Sequence, residues 1–363
     1  MTSADNRLLT APETLPPRLR AAITPEERAY IAAIEGRGGL PFAATPHFAS
    51  LAGPDQADPI RRQFFPDPRE ALPDPFALED PLGEARYLAA PRLVHQYRDR
   101  ALLLAGGRCA GYCRHCFRRI WVGVPRPFVT DTELDPITAY LAAHREIREV
   151  LVSGGDPLTV SDGVLERLFR RLQEATATDG GASGSPISLR VCTRVPITDP
   201  RRLTDATIGL FSRYKPLRMA VHLNHPRELA SEARRTLAAC VAAGIPVLVQ
   251  TVLLHGVNDD ATILAELFRE CRSLGLTPYY LFQLDLAPGT AHFRVPLKRG
   301  LSLHQELRDL LGAGCPVYAV DLPGGGGKIR LDETSIAGEG EEPGGPAYYL
   351  KGPDGSLWTY PQR

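Results

Sequence analysis

The chain has 363 residues, 44% of them hydrophobic, and its 42 Lys+Arg residues balance its 42 Asp+Glu residues. The zero net charge, with no basic excess and no charged tail, argues against binding to nucleic acid or to a membrane surface. The longest apolar run, residues 245–254, is far too short to span a bilayer, and the N-terminal residues lack the apolar core of a secretion signal. The seven cysteines are an odd number and four are scattered singly, which is typical of a reducing cytoplasm and not of a disulfide framework.

Residues 1–94 are rich in proline and arginine and predict a helical and irregular N-terminal region. One or two helices are predicted over residues 15–34, because Thr24 offers an N-cap, Pro25 lies in the first turn, and Glu26 and Glu27 lie near the positive helix end. Residues 55–80 contain many Pro and Asp residues and predict irregular wrapping around the rest of the molecule.

Residues 95–312 alternate between apolar strands and amphipathic helices. The predicted strands are residues 100–105, 149–152, 188–191, 217–222, 246–253 and 279–284. The predicted helices are residues 134–147, 163–174, 200–212, 228–243, 261–274 and 301–311. This α/β alternation predicts a buried parallel sheet, and six units fit a partial (β/α)6 barrel of the TIM type. Polar and glycine-rich residues follow the strands, at the end where such barrels carry their chemistry.

Residues 313–363 predict a C-terminal extension. Residues 316–320 predict a strand, a run of four glycines leads to Lys328, and residues 348–360 predict a β-hairpin that turns at Asp354 and Gly355. A small, polar loop is predicted over residues 175–188, and we assign it no function.

Three cysteines lie within eight residues, Cys109, Cys113 and Cys116, in the spacing C-x3-C-x2-C. A disulfide would use two thiols and leave the third. Structural zinc prefers four ligands, which His115 or a distant residue would have to complete. A [4Fe–4S] cluster held by three thiolates keeps one iron open, and this spacing resembles that of the radical S-adenosylmethionine (SAM) superfamily, in which the open iron binds SAM. An unligated loop is the remaining alternative.

The glycine run before Lys328 is not a phosphate-binding P-loop. Leu322 stands where that motif needs its first glycine, and Ile329 follows the lysine where serine or threonine is required.

Five motifs occur in the order found in the lysine 2,3-aminomutase family of radical SAM enzymes, which the chain resembles from about residue 95 to residue 360. They are Tyr112-Cys113-Arg114-His115-Cys116-Phe117-Arg118-Arg119, Ser153-Gly154-Gly155-Asp156, Asp285-Leu286, His292-Phe293-Arg294-Val295-Pro296 and the stretch from Asp321 to Lys328.

The resemblance implies three cofactors. Cys109, Cys113 and Cys116 correspond to the ligands of a [4Fe–4S] cluster, whose electron cleaves SAM to a 5′-deoxyadenosyl radical. The residues expected to contact SAM are Ser153, Gly154, Gly155, Asp156, His222, Asn224 and Gln250. Lys328 corresponds to the lysine that forms a Schiff base with pyridoxal 5′-phosphate (PLP).

The resemblance also assigns phosphate and substrate contacts. Tyr97 and Arg100 match residues that hold the PLP phosphate, although the family usually has a basic residue where this chain has Gln96. Arg118 matches the residue that binds the substrate α-carboxylate, whose planar geometry suits an arginine. Asp285 and Asp321 match the two acids that bind the ε-ammonium of lysine.

The implied reaction is a 1,2-amino migration that converts L-lysine to β-lysine, with an external electron donor. Members with a zinc site carry C-terminal cysteines that are missing after Cys315, so we expect no structural zinc, and a homo-oligomer would rest on other contacts. Two alternatives stay open: an aminomutase that supplies β-lysine for modification of elongation factor P, and a non-catalytic Fe–S or zinc module.

Overall fold

The computed structural model describes residues 8–37, 39–176 and 186–362. Its main sheet has ten strands in chain order: β1 (Leu88–Ala90), β2 (Leu93–Tyr97), β3 (Arg100–Gly106), β4 (Glu149–Gly154), β5 (Ser188–Thr193), β6 (Leu217–His222), β7 (Val247–Val252), β8 (Thr277–Phe282), β9 (Val317–Leu322) and β10 (Gly327–Arg330). Strands β3 to β9 are parallel, and β1, β2 and β10 run antiparallel at the edges. Over the described residues no strand pairing closes β10 onto β1, so the barrel is partial.

Eleven α-helices lie within the described residues: α1 (Pro17–Ala21), α2 (Pro25–Arg37), α3 (Pro46–Leu51), α4 (Pro59–Phe64), α5 (Asp131–Ala143), α6 (Asp162–Glu174), α7 (Val195–Thr198), α8 (Asp205–Arg213), α9 (Ser231–Ala242), α10 (Ala261–Ser273) and α11 (Leu297–Leu311). Helices α5, α6, α8, α9, α10 and α11 connect successive parallel strands and cover the sheet. No helix of the described part of the chain is long and apolar enough to cross a membrane.

Local sequence signals explain where these helices begin. Thr130 and Glu133 form a reciprocal capping box at the start of α5, and Asp260 accepts hydrogen bonds from two backbone N–H groups at the start of α10. The single helix predicted over residues 200–212 is instead a short 3-10 turn followed by α8, because Thr204 caps a new helix at that point. The predicted loop at residues 175–188 lies largely outside the described residues.

The C-terminal residues add one more parallel strand than the six predicted units. Strand β9, which lies in the predicted C-terminal extension of residues 313–363, pairs with β8 in the main sheet. The following residues form β11 (Ile336–Glu342), β12 (Gly345–Lys351) and β13 (Leu357–Pro361). Strands β12 and β13 form the predicted hairpin, which turns where Gly355 adopts a φ of 85°. The hydroxyl of Tyr360 donates to the carbonyl of Leu284 at 2.7 Å and joins this small sheet to the barrel.

The N-terminal region packs against the loop that follows β3. Phe42, Phe48 and Phe64 are buried together. The backbone N–H of Tyr112 donates to the carbonyl of Ala43 at 2.9 Å. The N-terminal region therefore reaches the cysteine-bearing loop directly.

Candidate active site

The residues predicted to form the site gather where the parallel strands end. The cysteines follow β3, Ser153 and Gly154 end β4, Asn224 follows β6, Asp285 follows β8, and Asp321 lies near the end of β9. Because parallel strands end at a common edge, residues far apart in the chain meet there.

Gly154 and Gly155 allow the end of β4 to touch the start of the cysteine loop. Gly154 adopts a φ of 107°, and a Cβ there would lie 2.6 Å from the carbonyl oxygen of Gly106. A Cβ on Gly155 would lie 2.4 Å from the carbonyl oxygen of Arg108. The N–H of Gly155 donates to Gly106 at 2.6 Å. The glycine pair is thus required for close backbone contact, and its predicted contact with SAM stays a prediction.

The carboxylate of Asp156 is buried and fully engaged with neighbouring strand ends. It accepts hydrogen bonds from the hydroxyl of Thr193 at 2.8 and 2.9 Å, and from the backbone N–H of Arg194 at 2.7 Å and of Leu158 at 3.0 Å. Burial raises its pKa despite these donors. Asp156 therefore joins the ends of β4 and β5 in this structure, and its predicted role towards the SAM amino group is a proposal.

The three thiols of the loop are free and lie close enough to influence one another. Burial, together with the neighbouring acidic groups, raises the pKa of Cys109 well above its usual range, and burial and Cys113 raise that of Cys116 to about 11. Thiolate ligands need a positive partner in such surroundings, as iron would provide. Across the described residues no three His, Cys, Asp or Glu side chains converge on one metal ion. A [4Fe–4S] cluster does not require three side chains to converge on one ion, because each thiolate binds a different iron. The donor set therefore fits a [4Fe–4S] cluster.

A buried polar network lies beside Cys113. The guanidinium of Arg194 donates from Nη1 to Cys113 Sγ at 2.8 Å, and from Nη2 to Gln63 Oε1 at 2.5 Å and to Glu228 Oε2 at 3.2 Å. Gln63 also donates to Glu228 at 2.8 Å and accepts from Asn224 at 3.0 Å. Neither Gln63 nor Glu228 belongs to a motif, so sequence reasoning did not find them.

His222, Asn224 and Gln250, the other predicted SAM contacts, are neighbours. His222 Nε2 lies 3.1 Å from Asn224 Oδ1, and His222 and Gln250 are opposite each other in the pairing of β6 with β7. Burial, and then the charge of Arg194, lower the pKa of His222 to about 3, so its ring is neutral. These three residues form one polar patch at the strand ends.

Arg118 is partly buried and paired with Glu84. Its Nη2 donates to Glu84 Oε1 at 2.5 Å, and its Nη1 donates to Ser153 Oγ at 3.3 Å. The guanidinium is thus held at the C-terminal end of β4. The sequence did not indicate Glu84 as its partner.

Lys328 is paired with Asp321 and interacts electrostatically with Asp285, the other predicted acid. Its Nζ is 2.6 Å from Asp321 Oδ2, and the two residues are directly opposite in the antiparallel pair β9–β10. Burial, followed by repulsion from Asp321, raises the pKa of Asp285 to about 8, while Lys328 and Arg118 act in the opposite direction. Nζ also lies 4.0 Å from the centre of the Phe282 ring.

The predicted phosphate contacts are only partly brought to Lys328. The hydroxyl of Tyr97 accepts a hydrogen bond from the backbone N–H of Lys328 at 2.9 Å. The guanidinium of Arg100 is instead paired with Asp99 by two hydrogen bonds of 2.9 Å. Gln96 donates to the carbonyl of Gly325 at 3.2 Å, so it holds the glycine loop. The lysine, its acidic neighbour and Tyr97 fit PLP, and the phosphate contacts stay predictions.

The partial barrel and its three-cysteine loop define a radical SAM protein, and sequence comparison agrees. A profile of the radical SAM superfamily matches residues 103–267. A protein of Treponema pallidum (strain Nichols), provisionally named L-lysine 2,3-aminomutase, is 42% identical over 87% of each chain. The L-lysine 2,3-aminomutase of Clostridium subterminale is 34% identical over 88% of this chain and 75% of its own. The glutamate 2,3-aminomutase of Clostridioides difficile (strain 630) is 33% identical over 88% of this chain and 74% of its own.

The chain belongs to the lysine 2,3-aminomutase family. The predicted fold class, the isomerase class and the three cofactors, a [4Fe–4S] cluster, SAM and PLP, are thereby confirmed, and the substrate is a small molecule. The relatives favour neither the elongation factor P alternative nor a non-catalytic module.

Proposed function

We propose that the protein converts L-lysine to β-lysine by a radical 1,2-amino migration. One observation carries the choice of substrate: the ammonium group of Lys328 lies 2.6 Å from Asp321. The charges of Asp321, Lys328 and Arg118 all act on the carboxyl group of Asp285. A cation already occupies the acidic end of the site. The ε-ammonium of a lysine substrate has the same chemistry as that group.

The two ends of the site select opposite charges. Arg118 would bind the α-carboxylate, and Asp285 and Asp321 the ε-ammonium. Two neighbouring carboxylates repel each other unless a cation lies between them. A substrate with a negative tail, such as glutamate, would add a third negative charge there, so we expect it to be rejected although one relative is named for it.

The remaining residues position the cofactors in this proposal. Cys109, Cys113 and Cys116 would hold the cluster, the patch around His222 would contact SAM, and Lys328 and Tyr97 would hold PLP. When bound, these groups supply the radical that removes a hydrogen atom and the carrier for the migrating nitrogen. The chain's own contribution is orientation and exclusion of water.

The proposal includes an external electron donor, a cytoplasmic location and a possible homo-oligomer. All seven cysteines are free in the structure, which supports a reducing compartment.

The test is anaerobic incubation of the protein with PLP, SAM, a chemical reductant and L-lysine, followed by product analysis. We expect β-lysine from the wild type and from Lys351→Ala, a matched change of an exposed lysine. Lys328→Ala should lose both the visible PLP band and turnover, because the amine that attaches PLP is gone. Rearrangement of glutamate in place of lysine would contradict the proposal.

A further inference from the structure

The carboxylate of Glu84 leaves part of the Arg118 guanidinium available. Its oxygens accept from Nε at 3.1 and 3.2 Å and from Nη2 at 2.5 Å, and Nη1 donates to Ser153. Arginine has five N–H donors, and these contacts use three, which leaves one on each terminal nitrogen. With side chains only 14% and 16% exposed, the ion pair supplies the counter-ion that a buried guanidinium needs.

Glu84 is held on a braced turn. The side chain of Asp80 accepts from the backbone N–H of Glu84 at 3.0 Å and of Ala85 at 2.9 Å. The N–H of Gly83 donates to the carbonyl of Asp80 at 3.1 Å. The carboxylate therefore approaches Arg118 from a fixed backbone and not from a mobile loop end.

The same turn holds the glycine loop that precedes β10 and Lys328. The N–H of Gly324 donates to the carbonyl of Pro81 at 2.7 Å, and the hydroxyl of Tyr87 donates to the carbonyl of Gly325 at 2.7 Å. A Cβ on Gly83 would lie 2.6 Å from the carbonyl of Gly324. One segment, residues 80–87, thus contacts both the carboxylate-binding arginine and the loop that carries the PLP lysine.

We propose that Glu84 is a positioning residue for lysine binding: it orients Arg118 so that the free N–H groups face the substrate carboxylate. Segment 80–87 also contacts the loop before Lys328, so it fixes the position of Arg118 relative to that loop. The groups that bind the two ends of the substrate are thereby held at a fixed separation. The proposal rests on the proposed function, because Arg118 matters here only as the substrate clamp.

A placeholder role makes the opposite prediction. If Glu84 merely occupied the substrate carboxylate site, its removal would free Arg118 and lysine would bind more tightly. If Glu84 only stabilised the fold, its removal would weaken every ligand alike. A positioning role weakens only those ligands that carry a carboxylate.

The experiment compares Glu84→Gln with Glu79→Gln, a matched change of an exposed residue five positions earlier. Binding of L-lysine and of 1,5-diaminopentane, which lacks the carboxylate, is measured by equilibrium dialysis against PLP-loaded enzyme without SAM. For Glu84→Gln we expect the Kd of lysine to rise about tenfold and that of diaminopentane to change less than about twofold, as for a coupled contact. Glu79→Gln should match the wild type.

The same change in an Arg118→Ala background separates this inference from the proposed function. Because Glu84 acts through Arg118, Glu84→Gln should have no further effect on lysine binding there. If the wild type does not turn over lysine, the proposed function is wrong. If the wild type does turn over lysine, the positioning role is refuted by any of three results for Glu84→Gln. The first is lysine binding that is as tight as before or tighter, the second is equal weakening of lysine and diaminopentane binding, and the third is a further weakening of lysine binding in the Arg118→Ala background.

Discussion

Replacement of Asp285 by asparagine is the sharpest perturbation of the acidic end. Asp321 also pairs with Lys328, so its replacement would disturb the lysine proposed to hold PLP as well, whereas Asp285→Asn leaves that pair in place. Truncation of one partner of a buried charge pair costs about 2–5 kcal/mol, and each tenfold change in kcat/KM corresponds to about 1.4 kcal/mol. We therefore expect kcat/KM for lysine to fall about thirtyfold or more once Asp285 is ionised.

The size of this loss should depend on pH. Burial and then repulsion from Asp321 raise the pKa of Asp285 to about 8. At about pH 7, one unit below this pKa, ionisation of Asp285 costs about 1.4 kcal/mol. This cost offsets part of the attraction between the carboxylate and the substrate ammonium group. The ratio of wild-type to variant kcat/KM should therefore be up to about tenfold larger at about pH 9 than at about pH 7.

The assay is the anaerobic rate of β-lysine formation at both pH values, with PLP and iron contents measured for each protein. Asp309→Asn, a change of an exposed acid on α11, is the matched control. Near-normal lysine turnover in Asp285→Asn and in Asp321→Asn, with full cofactor loading, would refute the assignment of the acidic pair.

Two further predictions concern the effect of the buried acids Glu70 and Asp285 on stability. Glu70 has no exposed side-chain surface and pairs with Arg114 and Arg119 at 2.5 Å each, so Glu70→Ala should lower the free energy of unfolding by about 3–5 kcal/mol in urea denaturation. Exposed Glu79→Ala is the control, and equal stability of the two variants would contradict this. In the folded protein Asp285 keeps its proton up to about pH 8, whereas in the unfolded chain it loses the proton above about pH 4. The folded state is therefore destabilised progressively as the pH rises from about 4 to about 8. Asp285→Asn should therefore raise the Tm relative to wild type more at about pH 9 than at about pH 6; a pH-independent difference would show that Asp285 titrates normally.

The parallel sheet could be predicted from the sequence because its strands are buried. Apolar segments such as β6 and β7 are stable only when they are buried in the interior. The predicted bounds of β6, residues 217–222, coincide with the observed ones. The residues that follow Lys328 are strand-like in sequence, but the start of β10 at Gly327 and its pairing with β9 were not predicted, since the glycine run carries no periodic pattern. Its pairing with β9 is nonetheless what brings Lys328 opposite Asp321.

The candidate site was predictable where residue chemistry is distinctive. Three closely spaced thiols and a lysine after four glycines have few other uses. Glu84 could not be found in this way, because an acid in a proline-rich segment is ordinarily a solvated surface residue, and only the fold brings it to Arg118. The same holds for Gln63 beside Arg194.

The N-terminal region does not only cover the barrel; it also supplies acidic partners to the cysteine loop. The cysteine loop carries Arg114, Arg118 and Arg119, and each of them is paired with an acid from the N-terminal region. Without those acids, three largely buried guanidinium groups would lie without counter-ions in the cysteine loop, and the loss of one partner of a buried ion pair costs about 3–5 kcal/mol. The position of the cysteine loop is thus set in part by residues that precede the barrel.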